Sequence, residues 1–114
     1  MEVLTGIDLV DLKDFEKAYS NGGDNFVKRV FLPEETKRKE IEHLAGIFAS
    51  KEAIMKALSI GPGNWLEIQI TNQEDGRPKA HLSQKILSMI NPKSSDLSIS
   101  HTDNAAVAVF IALI

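Results

Sequence analysis

Apolar and polar positions divide the chain into short runs with changing periods. Residues Val3–Val10 read Val-Leu-Thr-Gly-Ile-Asp-Leu-Val, an apolar run interrupted by Asp8. That pattern predicts a strand, placed centrally in its sheet. Asp11 then caps a helix to about Tyr19, with Leu12, Phe15 and Tyr19 on its inner face. Ser20-Asn21-Gly22-Gly23-Asp24 predicts a loop and Asn25–Phe31 a short helical piece.

Pro33, with Glu34 and Glu35 behind it, marks the start of the main helix. Its apolar stripe of Ile41, Leu44, Ala45, Phe48 and Ala49 continues to Leu58, and Gly61 stops it. From Pro33 to Leu58 such a helix is roughly 39 Å long at ~1.5 Å per residue. One position on it is anomalous. Ile41, Ala45 and Phe48 step along a single face, and the next step lands on Glu52, with Lys56 one turn later. A carboxylate on a core-facing stripe needs a partner, because burying an unpaired charge is costly.

After a loop at Ser59–Asn64, Trp65–Thr71 alternates as a strand, with Leu66, Ile68 and Ile70 on one face. Asp75-Gly76 predicts a turn, and Pro78 confines the next strand to an edge or a late start. Ser83 caps a short helix to Ile90, which Asn91-Pro92 ends. Leu97–Thr102 alternates again. Asp103-Asn104 predicts a two-residue hairpin turn before the small-residue strand Ala106–Leu113. With no internal repeat or linker, residues 1–114 predict one α+β domain with a mainly antiparallel sheet and one long helix.

Composition narrows the class. Hydrophobic residues at 43% and charged residues at 25% suit a soluble globular chain. No cysteine is present, which excludes disulfides and thiolate chemistry and fits a reducing, cytoplasmic setting. No basic segment precedes an apolar stretch at the start, so no signal peptide is expected. The apolar run Ala105–Ile114 falls well short of the ~20 residues of a membrane helix. A net charge of −3 argues against a nucleic-acid partner. Residues 13–39 nonetheless carry seven of the thirteen Lys and Arg against five acids, a mixed surface with a modest pull on anions.

Three features carry candidate chemistry: Asp8 in a strand, Glu52 on the helix stripe, and Ser100-His101 where a strand meets a turn. Each has a plain alternative. Asp8 alone serves as a turn cap, Glu52 with Lys56 as a helical pair worth ~0.2–0.5 kcal/mol, and His101 as a surface histidine.

Taken in order, four motifs resemble the holo-acyl-carrier-protein synthase family of 4′-phosphopantetheinyl transferases over nearly the whole chain. They are Gly6-Ile7-Asp8-Leu9-Val10; Phe48-Ala49-Ser50-Lys51-Glu52-Ala53 with Lys56-Ala57-Leu58; Asp75-Gly76-Arg77-Pro78; and Ser98-Ile99-Ser100-His101-Thr102 before Ala106–Val109. The resemblance implies that fold, and transfer of 4′-phosphopantetheine from coenzyme A to a serine of an apo acyl carrier protein, releasing 3′,5′-ADP. The alternative within the same fold is a non-catalytic module that binds coenzyme A or a carrier protein.

By the same resemblance, Asp8 and Glu52 match the acids that hold Mg²⁺, which needs few carboxylates when waters and substrate phosphates complete its shell. Lys56 matches a phosphate-contacting lysine. Arg77 and Pro78 match a turn lining the nucleotide region, and Ser100, His101 and Thr102 match a motif contacting the coenzyme. Asp8, Glu52, Lys56 and His101 are thereby the catalytic candidates. The general base is left open between a carboxylate and a water held by the metal. The family also implies a homotrimer, with His101 serving metal ligands on a neighbouring copy. Where relatives carry arginines after the first aspartate, this chain has Asp11-Leu12-Lys13-Asp14-Phe15-Glu16-Lys17, and its glycine loop at Ser59–Asn64 is short.

Overall fold

Gly6 sets the approach of helix to strand at the centre of the fold. A Cβ at this position would lie 1.9 Å from the Ala53 carbonyl oxygen and 2.8 Å from the Ala57 nitrogen, so only glycine lets the central helix press against the first strand. The computed structural model describes residues 1–114. Strand β1 spans Val3–Asp11, helix α1 Leu12–Val30 and helix α2 Ile41–Leu58. Strands β2 (Ile68–Asn72) and β3 (Pro78–Leu82) precede helix α3 (Gln84–Met89), then β4 (Ser94–His101) and β5 (Ala105–Leu113).

The architecture is α+β, as expected. β1, β5 and β4 form an antiparallel sheet in that order, and β2–β3 form a separate hairpin. The small-residue strand β5 is therefore the central one. β1 lies at an edge, which corrects the central placement expected for it. Ala106, Ala108, Phe110 and Ala112 of β5 face inward with no exposed surface, and the three alanines leave room for α2. The outward face of the sheet is unusual, because it is apolar and open. Val3, Ile7, Leu9 and Ile111 are 58%, 60%, 71% and 43% exposed, with Val107 and Val109 half-buried between them.

Two helix boundaries differ from the sequence expectation. Ser20–Asp24 is not a loop, because α1 runs through it with a single break at Gly23 (φ 53°, ψ −141°). The second half is held by Phe26, which is buried and packs edge-on to Phe15 with ring centroids 6.0 Å apart. The main helix does not start at Pro33. Pro33–Thr36 is one 3₁₀ turn, and Glu40 (φ −61°, ψ 133°) begins α2 afresh. The cause is Glu35, whose carboxylate turns into the core. It accepts hydrogen bonds from the Leu32 nitrogen (2.8 Å), the Ile70 nitrogen (2.7 Å) and Lys51 Nζ (2.7 Å). With 18 residues, α2 is about 27 Å long. It ends at Ser59 in the left-handed conformation (φ 55°), before Gly61. Leu66 lies in a 3₁₀ turn, Trp65–Glu67, ahead of β2, and is exposed where a core position was expected.

α2 is covered on nearly every side, as its buried Leu44, Ile47, Ile54, Met55 and Leu58 show. Sheet, α1 and hairpin all pack around it. No helix is long and apolar enough to cross a membrane.

Candidate active site

Side chains alternate along β1, so the inward position after Gly6 is Asp8. It sits opposite Ala108, with its side chain 15% exposed. α2 is held against Gly6 by Ala53 and Ala57, and the same contact brings Glu52 and Lys56 beside Asp8. Lys56 Nζ donates to Asp8 Oδ1 at 2.9 Å and to the Ile7 carbonyl at 3.0 Å. The ion pair on this face is thus Lys56–Asp8. Glu52, which the helical spacing offered as the partner of Lys56, forms no ion pair. It lines a cavity of about 310 Å³ with Asp8, Asp11, Asp14, Phe15 and Phe48. Burial pushes its carboxyl above the usual range. The charge of Asp8 adds to that, and Lys56 opposes it. Asp11 is engaged elsewhere, since its carboxylate accepts from the Asp14 nitrogen at 3.0 Å and caps α1.

His101 lies elsewhere on the chain. It ends β4 and lines a second cavity of about 320 Å³ with Arg38, His43, Asn72, Gly76 and Pro78. The two cavities share no residue. Burial and then the charge of Arg38 hold His43 below the usual histidine range. Pro78 also borders a third pocket of about 260 Å³ with Arg77 and Asp96. Arg77 pairs with Asp96 at 3.4 Å, both exposed. The Asp75–Gly76 turn is present, with Gly76 at φ 89°. Ser100 is exposed. The Thr102 hydroxyl accepts from the nitrogens of Asn104 (3.1 Å) and Ala105 (3.2 Å), closing the β4–β5 hairpin.

The structure therefore gathers Asp8, Glu52 and Lys56 at one place, and His101, Pro78 and Gly76 at another. Arg38, His43 and Asn72 join the second group without having been singled out in the sequence. For Arg38 the signal was the basic run Lys37-Arg38-Lys39, which read as solvated surface.

No group of three or more His, Asp or Glu side chains converges as a metal cage. Four carboxylates line the first cavity, and the candidate donors among them are Asp8 and Glu52, since Asp11 is spent on the cap of α1. Their mutual repulsion shows in the raised proton affinity of Glu52, to which Asp8 contributes. A hard divalent cation that keeps several waters suits such a pair, and a cation demanding a full protein cage does not.

The sequence and the fold are similar to those of known proteins. The profile of the 4′-phosphopantetheinyl transferase superfamily matches residues 5–110. A holo-[acyl-carrier-protein] synthase from a Thermoanaerobacter species is 33% identical, covering 99% of this chain and 88% of the relative. One from Campylobacter jejuni is 36% identical, covering 91% and 94%. The crystal structure of the Helicobacter pylori holo-[acyl-carrier-protein] synthase in complex with coenzyme A superposes with a TM-score of 0.88. Its identity is 32%, over 96% of this chain and 99% of that one.

Proposed function

We propose that this chain, which belongs to the 4′-phosphopantetheinyl transferase superfamily, moves 4′-phosphopantetheine from coenzyme A to a serine hydroxyl of an apo acyl carrier protein. The serine oxygen bonds to the pantetheine-bearing phosphorus as the anhydride oxygen departs on 3′,5′-ADP. One observation carries this reading: Asp8 and Glu52, from a strand and a helix far apart in sequence, line a single cavity, and Lys56 is bonded to Asp8 beside it.

Each residue has a part in it. An ammonium has three donors, and Lys56 spends two of them on Asp8 and the Ile7 carbonyl. The third is free for a phosphate oxygen, on a side chain 55% exposed. Fixed in this way before substrate arrives, the cation opposes the charge that develops on the diphosphate at no cost of reorganisation. Asp8 and Glu52 are the residues that would hold Mg²⁺, which when bound neutralises the diphosphate and steadies the leaving group. The second cavity, with Arg38, His43, Pro78 and His101 on its wall, suits the phosphates of the nucleotide end; Arg77 lies in the adjoining pocket that Pro78 shares, and Ser100 and Thr102 flank His101 in the chain.

Because one chain keeps these two groups apart, the working site is read as lying between copies of a homotrimer. The open apolar face of Val3, Ile7, Leu9 and Ile111 supports that assembly, since an exposed patch of this kind marks an interface. Residues 1–114 act in it as one domain, in the cytoplasm.

The test is a mass measurement. Protein, Mg²⁺, coenzyme A and an apo carrier protein are incubated together. The carrier should gain one phosphopantetheinyl group, and 3′,5′-ADP should appear. An unmodified carrier, beside a control transferase that does modify it, would overturn the proposal.

A further inference from the structure

Lys51 is the largest side chain in the protein with no exposed surface, and its partner Glu35 is equally enclosed. Neither reaches either cavity of the proposed site. Lys51 Nζ donates to Glu35 Oε1 (2.7 Å) and to the Val30 carbonyl (2.7 Å), and lies 5.8 Å from the Phe31 ring centre. Glu35 Oε1 also accepts from the Leu32 nitrogen, and Oε2 accepts from the Ile70 nitrogen. Every polar atom of the pair is satisfied. Burial alone pushes the Lys51 ammonium below the usual range, and Glu35 pulls it back.

Stability is a poor reason for such a pair, because well-packed apolar side chains of similar volume generally do as well or better. Its connections give a better one. The pair joins the end of α1 at Val30, the 3₁₀ turn at Glu35, the hairpin strand β2 at Ile70 and helix α2 at Lys51. Consecutive residues on a helix point about 100° apart, so locking Lys51 sets the direction of Glu52. Ile70 belongs to the hairpin that carries Asn72, Gly76 and Pro78 to the second cavity, and itself lines that cavity.

We propose that Glu35 and Lys51 are positioning residues that hold the β2–β3 hairpin, and with it the coenzyme-binding cavity, in register with the helix bearing Glu52 and Lys56. This rests on the transfer reading given above. The pair acts through geometry and touches no substrate.

The double variant Glu35→Met/Lys51→Met removes both charges together and releases the Ile70 amide. Glu35→Gln/Lys51→Met also removes the charges but keeps an acceptor for that amide. In the first variant the KM for coenzyme A should rise at least tenfold, with the KM for the carrier changed less than twofold. Hydrogen exchange at Ile70 should quicken at least a hundredfold while that at Ala108 in β5 stays slow. The Gln variant should show smaller changes of the same kind, with the coenzyme KM raised about threefold. A folded Met variant with wild-type coenzyme KM and wild-type Ile70 exchange overturns the inference. So does a uniform loss in which both KM values and all amides change together. If the Met variant does not fold, the Gln variant decides. A coenzyme KM raised about threefold, with the carrier KM unchanged, supports the role, and an unchanged one refutes it. Should wild type itself transfer nothing, the transfer reading fails, while the Ile70 exchange still tests the tether.

Discussion

Lys56 Nζ lies 2.9 Å from Asp8 Oδ1, and this bond ties helix α2 to strand β1 at the rim of the proposed metal site. With Lys56 about half exposed, the pair contributes at most ~1 kcal/mol to stability. Lys56→Ala should therefore lower the melting temperature by only a few degrees. Its effect on transfer should be far larger, roughly 100-fold in kcat/KM, as for loss of one preorganised donor to a developing charge. A steep fall in melting temperature with kcat/KM intact would reduce Lys56 to a structural role.

Asp8 and Glu52 repel each other, and a cation between them removes the repulsion. Adding Mg²⁺ should raise the melting temperature of the wild-type protein in proportion to its binding. Asp8→Asn and Glu52→Gln should abolish that rise and reduce transfer to background, although both variants fold. Calorimetric titration with Mg²⁺ and coenzyme A checks this directly. Wild-type metal affinity in either variant would remove that residue from the site.

Gly6, in β1 against α2, and Gly46, within α2, offer a contrast. A Cβ at Gly6 meets backbone atoms of Ala53 and Ala57 that cannot retreat. Gly6→Ala should therefore cost roughly 3 kcal/mol or more, at or above the upper end of overpacking effects. A Cβ at Gly46 meets only the Cγ2 methyl of Ile99, at 3.2 Å, which needs to give by a few tenths of an ångström. Gly46→Ala should be near neutral, helped by about 0.5–1 kcal/mol of helix propensity. Chemical denaturation midpoints of the two variants give the comparison.

Part of this was legible in the sequence because it is local. Asp8 breaks the apolar run of β1 and Glu52 falls on the apolar stripe of the helix, and the family resemblance joined these two residues of the first cavity. Asp11 and Ser83 do cap their helices, and Asp103-Asn104 is a hairpin turn. The failures are long-range. Glu35 lies 35 residues from Ile70, and that bond breaks a helix that local signals start at Pro33. β1 looked central because it is apolar on both faces, yet its outer face is the open apolar one. The burial of Lys51 was not anticipated. It lies between Ile47 and Ile54–Met55, one turn away on either side, and that was the available clue.

The division of the proposed site between copies has its own test. Asp8→Asn and His101→Ala should each be inactive alone. If sites form between neighbours in a closed trimer, random mixing of the two chains restores about a quarter of wild-type sites. Leu9→Asp on the open face should prevent both assembly and that recovery while leaving the fold intact by circular dichroism. A mixture that stays inactive, despite proven exchange of subunits, would place the whole site within one chain.

His43 offers a pH test of the second cavity. Its ring is half-buried beside Arg38, with Glu35, Glu40 and Glu42 near enough to pull the other way and His101 on the same cavity wall. Burial and Arg38 prevail, so its folded pKa lies below the ordinary 6.5. The unfolded chain then takes up the proton first. The stability contributed by neutral His43 is complete above pH 6.5 and is lost as the pH falls through the folded pKa. His43→Asn should flatten that part of the stability curve. Bound coenzyme A would place phosphate charge in the cavity, favour the imidazolium and move the His43 titration upward. Histidine NMR resonances, followed with and without coenzyme A, measure both values. A titration that coenzyme A leaves unmoved would take the nucleotide end out of this cavity.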